Sequence, residues 1–323
     1  MKTTIRIVAS AFAIFLAPVA VTFAQGPGAQ PEQPEFIKQG QQLMRDGKLE
    51  EALALYRQTL QASPNSFPAN IAAGGVLDLM GKGEEARKYF QKAIDSADTP
   101  ELKARAQRAT AVSYAFEGDC SRALDYERKV FEYYGTVKNF FQQGEISNEG
   151  ARICLDSTDD LRNRYPADSM AAARSWYKTG YETGLKEPDI KPARVDLWNF
   201  RWEHAQARLA ARDGHHAEAA KHVAAAKAIL DKGTIPDQAI FFPYLKAYVA
   251  FYAGDFKTAV EEFLLANQND PFIQVMLARS YEKLGDMEKS LEFYRKAASA
   301  TSHNPTAAYA VPFAKQKLVS KPS

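Results

Sequence analysis

Six glycines with shared neighbours constrain this chain more than any other feature. Gly47, Gly81, Gly118, Gly214, Gly254 and Gly285 each have a small residue five positions later: Ala52, Ala86, Ala123, Ala219, Ala259 and Ser290. Seven positions before each glycine stands another small residue: Gly40, Gly74, Ala111, Ala207, Ala247 and Ala278. Nine positions after it comes a ring or an aliphatic side chain in five copies (Tyr56, Phe90, Val223, Phe263, Tyr294), with Glu127 the exception. The spacing describes an antiparallel helix pair. Small residues let two backbones approach where they cross, and the ring fills the space beside the crossing. Glycine supplies the positive φ that ends the first helix, and Asp119, Asp255 or Asp286 is placed to cap the second. Pro64, Pro100, Pro271 and Pro305 punctuate the gaps between pairs. One pair cannot bury its own apolar face, so the pairs must stack.

The motif, G-x6-G-x4-A-x3-Y at 40–56 and G-x6-G-x4-A-x3-F at 74–90, resembles the tetratricopeptide repeat. The likeness runs from about residue 35 to 304. The family's early Trp is missing from every copy, and Lys246 occupies a position that is usually Leu. The resemblance implies an all-α fold, a right-handed α-solenoid of stacked antiparallel helix pairs. The expected organisation is a signal peptide at 1–24, a Pro/Gln/Gly linker at 25–34 and regular repeats at 35–137. A divergent helical repeat follows at 138–199, then further repeats at 200–304. The end, 305–323, reads as a solvated capping helix, kinked at Pro312, with a tail. Within the divergent segment, helical spacing covers Lys138–Asp156 and Asp168–Leu185, and a long helix is expected from Pro192 to Arg212. A continuous solenoid is the expectation there, with a junction between two subdomains as the alternative.

Lys2 and Arg6 precede the apolar run Ile5–Ala17, and Thr22 and Ala24 occupy the −3 and −1 positions of a cleavage site after Ala24. This order predicts a cleaved secretory signal and a periplasmic or extracellular protein. Pro18 interrupts the run too early for a membrane span, and no later stretch is apolar for long enough. The chain has 41 basic and 39 acidic residues, and the surplus of +2 matches Lys2 and Arg6, which belong to the signal. The body is therefore formally neutral, which excludes bulk electrostatic capture of nucleic acid.

The two cysteines, Cys120 and Cys154, lie at the start of a second helix and near the end of the next first helix, ends that share one rim of a stack. In an exported protein they are candidates for a disulfide, the alternative being two buried thiols. His215, Glu218 and His222 share a helical face, but polar residues opening a solvated helix need no ligand, so no metal site is assigned. No nucleophile elbow, phosphate-cradling loop or zinc spacing is present, so neither a cofactor nor a catalytic residue is assigned and a non-enzymatic role is expected.

Proteins of the family bind partners mainly along the concave surface lined by first helices. Carried onto this chain, the repeat register implies that Arg201, His204, Arg208, Arg212, Tyr244, Tyr248, Phe251, Tyr252, Arg279 and Lys283 line a basic and aromatic groove. Such a groove suits an extended, partly acidic peptide. The alternative is that the rings pack between repeats and the arginines are solvated. The expected function is an exported protein-interaction scaffold with an unidentified protein or peptide partner. An accessory subunit of an envelope enzyme and an envelope-polymer or carbohydrate-binding module, with the row Phe241–Tyr252 as stacking platform, are the alternatives.

Overall fold

The computed structural model describes residues 33–157 and 166–319; the expected signal sequence, most of the expected linker and the stretch 158–165 lie outside them. Glu35–Ser323 forms one compact unit. Its described residues are all-α, built as seven consecutive helix pairs and a final helix. The pairs are α1 (Glu35–Arg45) with α2 (Leu49–Ala62), α3 (Phe67–Leu79) with α4 (Gly83–Asp95), and α5 (Pro100–Phe116) with α6 (Cys120–Thr136). They continue with α7 (Phe140–Ser157) and α8 (Pro166–Gly184), α9 (Pro192–Arg212) and α10 (His216–Leu230), α11 (Phe242–Tyr252) and α12 (Phe256–Leu265), and α13 (Pro271–Lys283) and α14 (Met287–Ala298). The last helix is α15 (Pro305–Val319).

The local chemistry of the pairs follows the sequence pattern. The turn glycines have positive φ, 77° at Gly47 and 76° at Gly81 for example, the region that L side chains avoid. Asp119, Asp255 and Asp286 accept hydrogen bonds from the backbone N–H groups of Arg122, Thr258 and Lys289, three residues into each second helix. Pro100, Pro271 and Pro305 open their helices, whereas Pro64 sits in a connection and Pro68 stands in the first turn of α3. The ring on the second helix lies directly on the small residue of the first. A Cβ added at Gly74 would come within 2.5 Å of the Phe90 ring, and one at Gly40 would overlap Tyr56.

The described residues of 138–199 belong to the stack, α7 packing on α6 and α8 on α9. Glycine replaces alanine at its crossing: a Cβ at Gly144 would meet the carbonyl oxygen of Gly180 at 2.9 Å, and Cβ atoms at Gly144 and Gly184 would overlap the Trp198 indole. The ring that fills this crossing comes from the following helix, α9, which runs through residue 199, so the expected segment boundary falls inside a helix. Cys120 and Cys154 are joined by a disulfide with Cα atoms 4.8 Å apart, linking the start of α6 to the end of α7.

First helices touch one another along the stack, α1 with α3, α3 with α5, α9 with α11 and α11 with α13, which places them on the inside of its curve. The curve brings the last helix back to earlier pairs, because α15 packs against α13 and α14 and also against α5 and α7. This corrects the expectation of a solvated cap. Ala307, Ala308, Tyr309, Ala310, Val311, Phe313 and Ala314 are all buried, and a helix apolar on every side belongs in an interior. The helix passes through Pro312 without ending.

Two stability measurements check this architecture. Gly74→Leu should lower stability by about 3 kcal/mol through overpacking against Phe90, whereas Gly47→Ala, whose Cβ meets nothing within 4 Å, should cost only about 1 kcal/mol through its positive φ; chemical denaturation distinguishes them. Reducing Cys120–Cys154, which closes a loop of 34 residues, should cost about 3–4 kcal/mol by the chain-entropy argument, and Cys120→Ser/Cys154→Ser should reproduce the loss.

Candidate functional site: the inner surface of the solenoid

The stripe Arg201, His204, Arg208 and Arg212 runs along α9, and Tyr244, Tyr248 and Tyr252 run along α11 at intervals of one turn. The fold brings these stripes together and pairs them closely. Arg208 is buried and donates to the Tyr177 hydroxyl at 2.8 Å. Arg212 donates to the Tyr252 hydroxyl at 2.8 Å and lies 5.0 Å from that ring's centre. Arg279 on α13 lies over Phe251 and Phe313, at 4.8 and 5.4 Å, and reaches the Tyr309 hydroxyl at 3.1 Å. The His204 ring stacks on Tyr244 at 5.5 Å. Arg201 is ion-paired with Glu145 on α7. Lys283 is exposed.

Tyr244, Tyr248 and Phe251 are 7%, 0% and 6% exposed, so these rings are packed rather than offered to solvent. Tyr244 and Tyr248 lie against Phe272, 6.1 and 6.4 Å between centres. The aromatic row therefore presents few ring faces on which a polymer could stack; Phe241 and part of Tyr252 are its accessible members. The part of the surface open to solvent consists of Arg201, His204, Arg212, Tyr252 and Arg279, all partly exposed, together with Lys283.

Two inner residues that sequence reasoning did not select, Arg152 and Asp156, come from the divergent repeat. Arg152 lies over Phe272 at 5.2 Å and Tyr244 at 6.0 Å, and pairs with Asp156 at 3.5 Å. Their signal was present, since Glu145, Glu149, Arg152 and Asp156 share one face of α7 by helical spacing. The surroundings shift the titration of these groups. Burial raises the Asp156 carboxyl against the pull of Arg152, Arg208 and Arg212. Burial also holds His204 well below its ordinary value, helped by Arg208 and Arg152, so its ring is neutral at pH 7. Elsewhere, His222 Nδ1 lies 2.6 Å from Glu203, a partner outside the His215–Glu218–His222 face. Among the described residues no helix is long and apolar enough to cross a membrane.

Models of the tetratricopeptide repeat match residues 43–108 and 273–304, within the regular copies at either end of the chain. Residues 43–108 and 273–304 carry tetratricopeptide repeats. No curated protein matches the sequence. Similar solved structures include a tetratricopeptide repeat protein from Parabacteroides merdae, 13% identical over 87% of this chain and 98% of that one, with a TM-score of 0.46. Others are the TPR domain of P58(IPK), 12% identical over 89% and 99% with a TM-score of 0.32, and PilW, a type IV pilus biogenesis factor, 14% identical over 81% and 90% with a TM-score of 0.30.

Glu127, which stands where five other copies of the glycine pattern carry a ring or an aliphatic side chain, is also informative. It is fully buried, and neither carboxylate oxygen has a hydrogen-bond partner. Burial first, and then neighbouring Glu149, raise its pKa well above the ordinary 4.5, with Arg108 acting in the opposite sense. A carboxyl raised on folding costs stability as pH climbs above its unfolded value, because the unfolded state loses its proton first. Glu127→Gln should therefore stabilise the protein at pH 7–8 by roughly 1–3 kcal/mol. The gain should close as pH falls to about 4.5, as read from thermal melts across pH.

Proposed function

We propose that the protein is an exported interaction scaffold that binds an acidic segment of a protein partner along the accessible part of its inner surface. The observation that carries this reading is the row of cationic side chains over rings on α9, α11 and α13. Arg212 beside Tyr252, Arg279 over Phe251, and Lys283 one turn beyond lie at the open end of that row. Guanidinium groups already oriented by stacking lose little freedom when they take a carboxylate, and they can do so in a two-bonded geometry. Repeats of this kind present extended surfaces rather than reaction centres. The signal-like order around Lys2, Arg6 and Ala24 supports export, and a disulfide between Cys120 and Cys154 suits an oxidising compartment.

Crosslinked pull-down from the exported fraction tests the reading. Arg212→Glu/Lys283→Glu changes side chains that are not fully buried and should keep the native melting behaviour. Capture of the partner should fall by about tenfold or more, the scale of two lost charge-assisted contacts. Unchanged capture by the folded double variant would remove the inner surface from partner binding.

A further inference from the structure

The inner helices close into a ring. α5 touches α7, α9 touches α11 and α11 touches α13, while α8 links α7 to α9 and α15 joins α13 back to α5 and α7. Arg152 reaches from α7 across this ring to the face of Phe272 on α13. Arg152, Arg208 and Arg212 all act on a single buried carboxyl, Asp156. Asp270, a second acid acting on Arg152, caps α13 by accepting from the Phe272 N–H at 2.9 Å. Cations held inside a protein are costly unless charge and hydrogen bonds are supplied to match them.

The side chains around Arg152 do not supply them. Its Nε and Nη2 are shielded from solvent and have no hydrogen-bond partner, and Asp156, 3.5 Å from Nε, leaves both of its own oxygens unpartnered. Tyr244, whose ring centre is 6.0 Å from the Arg152 guanidinium, and Tyr248 one turn on carry hydroxyls that are also buried without a partner. Among the described residues, half of the buried side-chain polar atoms that lack a partner belong to Arg152, Asp156, His204, Tyr244 and Tyr248. Each such group costs about 1–3 kcal/mol, so their concentration in one place points to a bound species that pairs them. Arg108 shows what the Nε and Nη2 edge takes. There the same two donors meet the two carboxylate oxygens of Glu149, the two-bonded geometry of guanidinium with carboxylate. Burial favours the protonated form of Asp156, whose carboxyl can then donate as well. Phe272, Tyr244 and Tyr248 surround these donors with ring surface, which suits a carboxylate on a small apolar body better than a strongly hydrated phosphate. Solutes have a way in, because 25% of the Arg152 side chain remains accessible and Arg212 and Tyr252 are partly exposed.

We infer that the ring of inner helices binds a small organic carboxylate, with Arg152 as its two-bonded anchor and the hydroxyls of Tyr244 and Tyr248 as further donors. The ligand is a free acid, taken up among side chains more buried than the row Arg212, Arg279 and Lys283, so the site does not rest on the partner-binding reading. Because its contacts come from α7 and α11, the bound acid ties the divergent repeat to the later ones and stabilises the folded chain by mass action.

The probes are sodium acetate and sodium benzoate, titrated calorimetrically into the full-length protein at an ionic strength held constant with sodium chloride; inorganic phosphate is the competing oxyanion. At least one carboxylate should bind saturably to a single site per chain, about tenfold or more tighter than phosphate. Arg152→Gln and Arg152→Lys should each weaken it by about tenfold or more, the lysine because it keeps the charge and loses the fork. Arg128→Gln, at an exposed position, should leave it unchanged. Tyr248→Phe covers the case in which the Arg152 variants do not fold. Removing an unpartnered hydroxyl should leave the melting temperature of the ligand-free protein unchanged or higher, yet weaken carboxylate binding by about threefold or more. A hydroxyl with only a structural role would not split the two readouts in this way. No saturable binding of either carboxylate to the wild type, tighter binding of phosphate, or equal affinity in the wild type and folded Arg152→Lys or Tyr248→Phe would overturn the inference.

Discussion

The contact of an aromatic ring with a bare or nearly bare backbone sets the geometry of this molecule. Tyr56 on Gly40 and Phe90 on Gly74 hold each pair at a separation that a larger residue would not permit. In the divergent pair the same task falls to Trp198, which lies on Gly144 and Gly184 and comes from the next helix. That substitution ties the pair α7–α8 to the pair after it through a single ring. Small changes in how neighbouring pairs meet accumulate along a stack, and here they bring the last helix back to the second, third and fourth pairs.

Closure has consequences for the interior. An open solenoid would part Arg152 on α7 from Phe272 on α13, whereas Arg208 and Arg212 find their tyrosines on the neighbouring helices α8 and α11. In this one the arginines face tyrosines and phenylalanines across a narrow space, where stacking and hydroxyl acceptors replace much of their hydration. The same confinement holds His204 neutral and raises the Asp156 carboxyl, both chiefly through burial. The disulfide lies just behind the seam. Cys154 adjoins Ile153, which α15 touches, and Cys120 lies one turn from Ala123, which belongs to the same apolar cluster. The floor on which the final helix rests is thus braced covalently.

Much of the fold was legible because a helix pair is a local object. The glycine turns, the capping aspartates and the helix from Pro192 to Arg212 all follow from short-range spacing and appear where that spacing puts them. The inner stripes of α9 and α11 were legible for the same reason. Whether those stripes are open was not, because that depends on curvature, a sum of small inter-pair rotations that no residue encodes alone. Tyr248 illustrates the gap: its register places it on the inner side, and only the approach of Phe272 and Tyr252 makes it fully buried. The sequence around Pro312 reads as an ending, yet Ala307, Ala308 and Val311 find apolar partners in Val112, Phe116 and Ile153 far back along the chain.

Hydrogen exchange resolved to individual segments tests closure most directly. Amides of Ala308–Ala314, residue 312 excepted because proline has no N–H, should be protected in the wild type to the same order as those of α5, because both lie in one core. In His303→Ala, protection should fall together in residues 303–316, 76–79 and 112–116 while α9–α12 is unchanged. Rapid exchange of α15 in the wild type, at the rate of an exposed terminal helix, would contradict a closed seam.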